Sequence, residues 1–364
     1  MKITRVEPIL VSIPDRNEPK PAYGPGARGM ADILFIRVDT DEGLTGWGEA
    51  FSFIGAPVTI AAFNDLVTPL AIGRDPSDSA TLMTDLLRRL QHVSRNGPVA
   101  SALSGLDIAL WELAGKAAGK PISHLLGGAK RSRLSAYATL MRFERPAIVQ
   151  QAVNAALGRG YRQIKLHEHT VRAVAAARDT VGPGFTLMLD TNCSWTSVED
   201  VLDMAHQLAP YDFTWLEEPL YPPDEFDGLA QIRKSSPIPI AAGENLGNFN
   251  DVRRITDAGA VDIVQPSIAK MGGVTELWKS IAYAESRGIK AIPHAPYTGP
   301  ALIASLHVMA AMQNEVVCEH RNCNLEANPM GDWCTARDGY IAVPDGPGLG
   351  VEPDLKVIER FRVG

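Results

Sequence analysis

The chain has 364 residues, of which 45% are hydrophobic, a net charge of −7 and four cysteines. That length accommodates a large barrel with an appended domain, and acidic charge spread without single-sign runs excludes a nucleic-acid footprint. No apolar stretch reaches membrane-spanning length, the charged start does not read as a secretory signal, and the cysteines form no CxxC pair, so the expectation is a cytoplasmic protein with reduced thiols.

The first stretch alternates as a strand, with Ile3, Arg5 and Glu7 set against Val6, Pro8 and Leu10. A Pro/Gly-rich loop follows over about residues 14–30. Within it Gly24, Gly26 and Gly29 satisfy GxGxxG, but the strand comes after the glycines, whereas a dinucleotide site needs it before them. The loop reads as a surface segment or a lid, and Tyr23 within it is a candidate substrate contact. Residues 32–38 and 44–50 are strands joined at Asp41-Glu42-Gly43, a hairpin signal. The period then becomes helical. Met83, Leu86, Leu87, Leu90 and Val93 share one face, as do Leu103, Leu106, Leu110 and Leu113 in a helix that opens near Pro98 and stops near Gly119. Strands followed by helices predict an α+β domain over residues 1–127.

From Ser135 onward, strand and helix patterns alternate. The eight strand candidates are SAYATLM, RQIKLH, TLMLD, FTWLE, PIAAGE, VDIVQPS, IKAIPH and EVVCEH. From the second onward they end at Lys165, Asp190, Glu217, Glu244, Ser267, His294 and Glu319, in steps of 25, 27, 27, 23, 27 and 25 residues. The pattern predicts an α/β fold: a (β/α)8 barrel of the TIM type over residues 128–330, with a tail over 331–364 that returns to the first domain.

Buried strands normally end in apolar or turn residues, yet three neighbouring ones end in Asp190, Glu217 and Glu244. Acids gathered on one rim repel unless a cation sits among them, and oxygen donors of this kind suit Mg²⁺. The second strand adds Lys165 and, two residues on and facing the same way, His167. The seventh adds His294 and the eighth Glu319. Cys318, His320 and Cys323 lie close together but lack a fourth ligand and the usual zinc pairing. A carboxylate substrate held on Mg²⁺ has an acidified α-proton, which a lysine among cations can remove.

These residues carry a resemblance. Lys165-x-His167, Asp190-x-Asn192, Trp215-Leu216-Glu217-Glu218-Pro219, Gly243-Glu244-Asn245, Lys270-x-Gly272-Gly273, Pro293-His294 and the Gly43-to-Glu49 segment resemble the mandelate racemase and muconate lactonizing enzyme branch of the enolase superfamily, along essentially the whole chain. The resemblance implies a capping domain whose loops, here about residues 14–30 and 51–57, cover the barrel mouth. It implies Asp190, Glu217 and Glu244 as Mg²⁺ ligands, Lys165 as the first lysine of a KxK motif, and Glu319 as an acid that hydrogen-bonds the substrate carboxylate. Asn192 and Asn245 are expected to orient ligands, with Asn192 also a candidate substrate contact, and Glu218 to lie behind the metal acids or in an ion pair. Members of the branch are often multimeric, so a homo-oligomer is expected.

Two positions depart from the pattern. His167 replaces the second lysine, and Ser267 replaces the aspartate that pairs with the seventh-strand histidine, so His294 is expected to lack the partner that orients it. Lys270 is expected beyond the catalytic strand end. These readings rank dehydration of a hydroxy acid or acid sugar first, with Lys165 or His167 as base and His294 as acid. Racemisation, epimerisation or cycloisomerisation is the alternative, and a metal-binding protein that has lost catalysis is a third reading.

Overall fold

The computed structural model describes residues 1–22 and 28–363, so Tyr23 lies outside the described residues. Strands β1 (Ile3–Pro14), β2 (Met30–Thr40) and β3 (Thr45–Ala50) form an antiparallel sheet in that order. Helices α1 (Ala56–Ala62), α2 (Thr68–Ala71), α3 (Ser79–Arg89), α4 (Pro98–Ala118) and α5 (Ile122–Leu125) follow. The hairpin turn lies where Asp41-Glu42-Gly43 predicts it.

The apolar run in β2 reflects burial on both faces. Leu34, Ile36 and Val38 pack with Leu103, Leu106, Leu110 and Leu113 of α4, whereas Ile33 and Phe35 join the core shared with the barrel. A strand covered on both sides reads as continuous rather than alternating. For the same reason the alternation expected in β1 does not hold. Ile3, Val6, Ile9, Val11 and Ile13 are the buried residues. A register shift between Ile3 and Arg5 resets the phase, and the later half of β1 turns its side chains to the barrel core. Val93 also differs from expectation: α3 ends at Arg89, and Val93 is 50% exposed.

The glycines of the Gly43-to-Glu49 segment have a packing cause. A Cβ on Gly48 would collide with the Gly105 carbonyl of α4, and one on Gly46 with the Ala109 carbonyl, so both residues let the helix lie directly on the sheet. Gly48→Ala is therefore expected to destabilise the fold by about 1–3 kcal/mol through overpacking, read by urea denaturation; an unchanged midpoint would contradict this packing.

The barrel strands are β4 (Arg133–Thr139), β5 (Gln163–Leu166), β6 (Thr186–Asp190), β7 (Phe213–Glu217), β8 (Ile240–Ala242), β9 (Ile263–Val264), β10 (Lys290–Ala291) and β11 (Cys318–Arg321). They alternate with α6 (Pro146–Gly158), α7 (Val171–Val181), α8 (Val198–Leu208), α9 (Phe226–Ser235), α10 (Phe249–Asp257), α11 (Gly273–Ser286) and α12 (Pro300–Ala311). The strands pair in parallel in the order β10-β9-β8-β7-β6-β5-β4-β11. This is the (β/α)8 arrangement that the strand-end spacing predicts. The strand ladder is interrupted between β10 and β11, where the Ala295 N–H donates to Glu319 Oε2 at 3.1 Å. Strands β9 and β10 end before Ser267 and His294, because Pro266 and Pro293 have no N–H to continue a ladder. A single bridge between Ser267 and His294 keeps the two residues side by side.

The cap docks through α4 and α11. Asp107 accepts from the Thr275 backbone N–H at 3.0 Å and hydroxyl at 2.7 Å, and the Ser104 hydroxyl accepts from the Gly272 N–H at 2.7 Å. A Cβ on Gly273 would run into the Asp107 side chain, so the final glycine of the Lys270-x-Gly272-Gly273 motif serves this close approach. The tail is more regular than expected. It adds strand β12 (Tyr340–Ala342) against β4, and then α13 (Leu355–Phe361) leads back to β1, where the Val363 N–H donates to the Leu10 carbonyl at 2.8 Å. Among the described residues no single helix is long and apolar enough to cross a membrane.

Candidate active site

Asp190 and Glu217 close adjacent strands and face each other in register, and Glu244 follows β8 after Gly243. All three side chains lie at the C-terminal rim, and one carboxylate oxygen from each falls within 4.8 Å of the others. The remaining oxygens of the first two are held from behind. Asp190 Oδ1 accepts from the Asn192 backbone and side-chain amides at 2.9 and 3.1 Å. Glu217 Oε2 accepts from Trp215 Nε1 at 2.8 Å and Gln265 Nε2 at 2.9 Å. These contacts leave Asp190 Oδ2 and Glu217 Oε1 turned to the centre. Glu218 points to the opposite side of its strand, where it accepts from the Gly243 N–H at 2.8 Å and the Cys193 thiol at 3.2 Å. It thereby braces the backbone that presents Glu244.

Crowding buried acids has an electrostatic cost, and the site shows it. Burial, reinforced by Asp190 and Glu319, pushes the Glu217 carboxyl well above its ordinary value despite the opposing pull of Lys165. Burial also works to raise Asp190 and Glu244, but the contacts with their neighbours outweigh it. His167 and Lys165 hold Asp190 down to about 2, and His294 and Lys270 hold Glu244 well below the usual range. Three converging carboxylates, two with an oxygen fixed by outer hydrogen bonds, suit a hard divalent cation.

Lys165 is 1% exposed. Its Nζ lies 2.7 Å from Glu217 Oε1, 2.8 Å from Glu319 Oε1 and 3.3 Å from Asp190 Oδ2. Burial alone pulls the ammonium down, but Glu217 and Glu319 together outweigh it and hold Lys165 well above its ordinary value. His167, on the same strand side, donates from Nδ1 to the Leu140 carbonyl at 2.7 Å and sets Nε2 3.0 Å from Asp190 Oδ2. Glu319 is fixed by the Thr139 hydroxyl at 2.7 Å and by the Ala295 N–H.

On the opposite flank, His294 Nε2 lies 2.9 Å from Glu244 Oε2. The expectation that His294 has no orienting partner is corrected: its Nδ1 lies 3.0 Å from Ser267 Oγ, which is hydrogen-bonded in turn to the Tyr297 hydroxyl. Serine is shorter than aspartate, but the Ser267–His294 bridge brings the two backbones close enough for the hydroxyl to reach. Lys270 lies past the strand end, as expected, yet its side chain reaches back into the site. Its Nζ lies 3.5 Å from Glu244 Oε1 and 4.5 Å from the centre of the Phe51 ring, inside the same cavity as Lys165, His167 and His294. The turn after β9 folds back over the rim, which the position of Lys270 past the strand end did not reveal.

That cavity is about 550 Å³, and its outer wall comes from the cap. Phe51, Phe53 and Ile54 stand where the second expected loop would cover the mouth, together with Asn96 and Ser101 from near the start of α4. The described part of the first loop runs along the rim, with the Ala22 N–H donating to the Arg142 carbonyl at 2.8 Å and Asn17 Nδ2 to the Asn322 carbonyl at 2.6 Å. Asn192 and Asn245 both line the cavity, and Asn192 is the residue that grips Asp190. Sequence reasoning missed Arg142, whose Nε donates to the His167 carbonyl at 2.8 Å, as well as Thr139 and Tyr297. Thr139 ends β4 opposite Lys165, so extending the strand-end rule to the first strand finds it.

A (β/α)8 barrel with three acids on adjacent strand ends, a lysine beside them and a histidine across from them, beneath an α+β cap, defines a class of enzymes that work next to a carboxylate. Residues 147–357 match the enolase C-terminal domain-like family, and residues 12–127 match the mandelate racemase / muconate lactonizing enzyme N-terminal domain. The chain belongs to the mandelate racemase and muconate lactonizing enzyme branch of the enolase superfamily. It is 34% identical over 354 residues to D-galactonate dehydratase of Ralstonia pickettii, covering 90% of this chain and 91% of that one. It is 32% identical over 350 residues to D-galactarolactone cycloisomerase of Agrobacterium fabrum, covering 91% of each. A crystal structure of a racemase from Streptomyces coelicolor A3(2) with bound magnesium matches at a TM-score of 0.85 and 27% identity, over 99% of this chain and 100% of that one.

Proposed function

We propose that this protein is a Mg²⁺-dependent hydro-lyase that removes the proton α to the carboxylate of an acid sugar and expels the hydroxyl of the neighbouring carbon as water. The observation that carries this reading is the placement of Lys165 beside Asp190 and Glu217, with His294 across the same cavity. Asp190, Glu217 and Glu244 would hold the ion. Bound there, Mg²⁺ supplies positive charge beside the substrate carboxylate, which stabilises the negative charge that builds as the α-proton leaves.

Lys165 is the base. Its ammonium depends on Glu217, Glu319 and Asp190 for support, and two of these three are the assigned ligands; with their charge neutralised, the buried amine gives up its proton readily. Lys165 then takes the α-proton, while His294 donates to the departing hydroxyl from the other face. The C–H bond breaks, the C–O bond breaks, water leaves with one proton, and the resulting enol becomes a keto acid. Glu319 and Asn192 face the substrate, and the Phe51 and Phe53 rings of the cap offer apolar surface to the C–H faces of a sugar.

Cycloisomerisation shares every residue of this scheme and differs only in the leaving oxygen, which belongs to a ring and stays in the product. The similarity to a galactarolactone cycloisomerase over 91% of both chains favours it as the second reading. Incubating the Mg²⁺-loaded protein with a panel of acid sugars and their lactones in ²H₂O distinguishes the outcomes. Loss of water to a keto acid is expected. Ring opening without loss of water would indicate the cycloisomerase, deuterium at an inverted α-carbon a racemase, and no exchange with any substrate would overturn the reading.

A further inference from the structure

The first turn of α4 opens on the active-site cavity with its polar groups unsatisfied. Asn96, Gly97 and Ser101 line that cavity from the cap, apart from the two loops expected to cover it. Ser101 is 4% exposed, and among the described residues its hydroxyl makes no hydrogen bond. Other buried helical serines turn back on their own chain: Ser104 donates to the Ala100 carbonyl and Ser305 to the Ala301 carbonyl, both at 2.8 Å. Ser101 makes no such bond, so its hydroxyl is left to the cavity, and a buried hydroxyl without a partner calls for one. The helix end is not satisfied from within either. Its cap, Gly97, has no side chain to offer, Pro98 has no N–H, and the Val99 and Ala100 N–H groups have no intrahelical acceptor. This end also carries the positive pole of a 21-residue helix.

The neighbouring groups on this wall donate as well. Asn96 Oδ1 is taken by the Gly97 N–H at 2.7 Å, which leaves Nδ2 as the outward group, held by a long 3.5 Å contact to the Asn245 carbonyl. Lys270 belongs to the same wall, because Ser104, one turn on from Ser101, accepts from the Gly272 N–H at 2.7 Å. The Lys270 ammonium faces Glu244 Oε1 at 3.5 Å; with that carboxylate holding the proposed ion, the ammonium is left to pair with substrate. A hydroxyl, an amide, a helix N-terminus and an ammonium on one wall select an acceptor that carries negative charge. We propose that Asn96, Ser101 and the first turn of α4, with Lys270 beside them, form a subsite for a second carboxylate, so that the substrate is an aldarate, a sugar acid carboxylated at both ends. Ser101 is then a specificity-determining residue. That the other carboxylate sits at the ion rests on the proposed function; the anion preference of the α4 subsite does not.

The test is calorimetric titration of the Mg²⁺-loaded protein with galactarate and glucarate, each paired with the aldonate of the same configuration, galactonate and gluconate, with products assayed in parallel. The better-bound aldarate is expected to bind at least about 10-fold more tightly than its aldonate. Ser101→Ala should cut that ratio by roughly 5- to 10-fold, and Ser101→Thr, which keeps the hydroxyl, should preserve it. Ser101→Asp should reverse the preference, since an acid suits the first turn of a helix and leaves the fold intact but repels the second carboxylate. Aldonates bound as tightly as aldarates, no binding of either aldarate, or a ratio unmoved by both Ser101→Ala and Ser101→Asp would overturn the inference. An aldarate that is preferred in binding but not dehydrated would remove the proposed reaction and leave the subsite intact.

Discussion

Lys165→Ala is expected to lower kcat by about 10³- to 10⁴-fold while Mg²⁺ still binds, because the substitution removes the proposed base and leaves the three proposed ligand carboxylates in place. The variant should also show a stability effect that depends on the ion. Lys165 is 1% exposed and pairs with Asp190, Glu217 and Glu319. Removing one partner of a buried ionic cluster costs about 3–5 kcal/mol, since the remaining charges are left uncompensated. Added Mg²⁺ should recover part of that loss by neutralising two of the three acids. Steady-state kinetics, calorimetric titration with Mg²⁺ and thermal melts with and without the ion check the three components. Near-normal turnover would remove Lys165 from the chemistry, and a melt insensitive to Mg²⁺ would separate the lysine from the ion.

Glu217→Gln is the complementary case. Glu217 is the middle acid, with Oε2 tied to Trp215 and Gln265 and Oε1 turned towards Lys165. An amide keeps the shape but loses the charge, so Mg²⁺ affinity is expected to fall roughly 100-fold, with loss of activity at ordinary Mg²⁺ concentrations and partial recovery at high ones. The substitution also disturbs the 2.7 Å contact that holds Lys165 Nζ in place, so high Mg²⁺ should not restore full turnover. Unchanged Mg²⁺ titration would remove Glu217 from the ligand set.

The barrel was legible because its evidence is periodic. Every strand end repeats at nearly the same interval, and an acid there breaks the apolar pattern where a packed strand has no use for one. Asp190, Glu217 and Glu244 could therefore be assigned from position alone, as could the direction in which Lys165 and His167 point. What stayed hidden depends on contacts between distant segments. The two-sided burial of β2 made its apolar run unreadable as alternation, and the bulge in β1 reset a phase that sequence cannot count. Lys270 enters the site because a turn folds back after β9, and Tyr297 lies three residues beyond a strand end, where no periodic rule places a side chain. Ser267 was found, but as an absence: the missing aspartate was visible, whereas the hydroxyl chain that takes its place needed coordinates.

The glycines were legible as a motif but not as a mechanism. Gly46 and Gly48 belong to a segment that carries the family resemblance, and their reason emerges only when α4 is seen lying on β3 with no room for a Cβ. The same packing, together with the Asp107 contacts at Thr275, fixes the cap above the barrel mouth and so sets where Phe51 and Phe53 line the cavity.

The claim that Asp190, Glu217 and Glu244 share one divalent cation beside Lys165 is tested most directly by anomalous diffraction from crystals grown with Mn²⁺ in place of Mg²⁺. The expected result is a single peak bonded to one oxygen of each of the three carboxylates. A peak elsewhere, or one that leaves any of the three unbound, would contradict it.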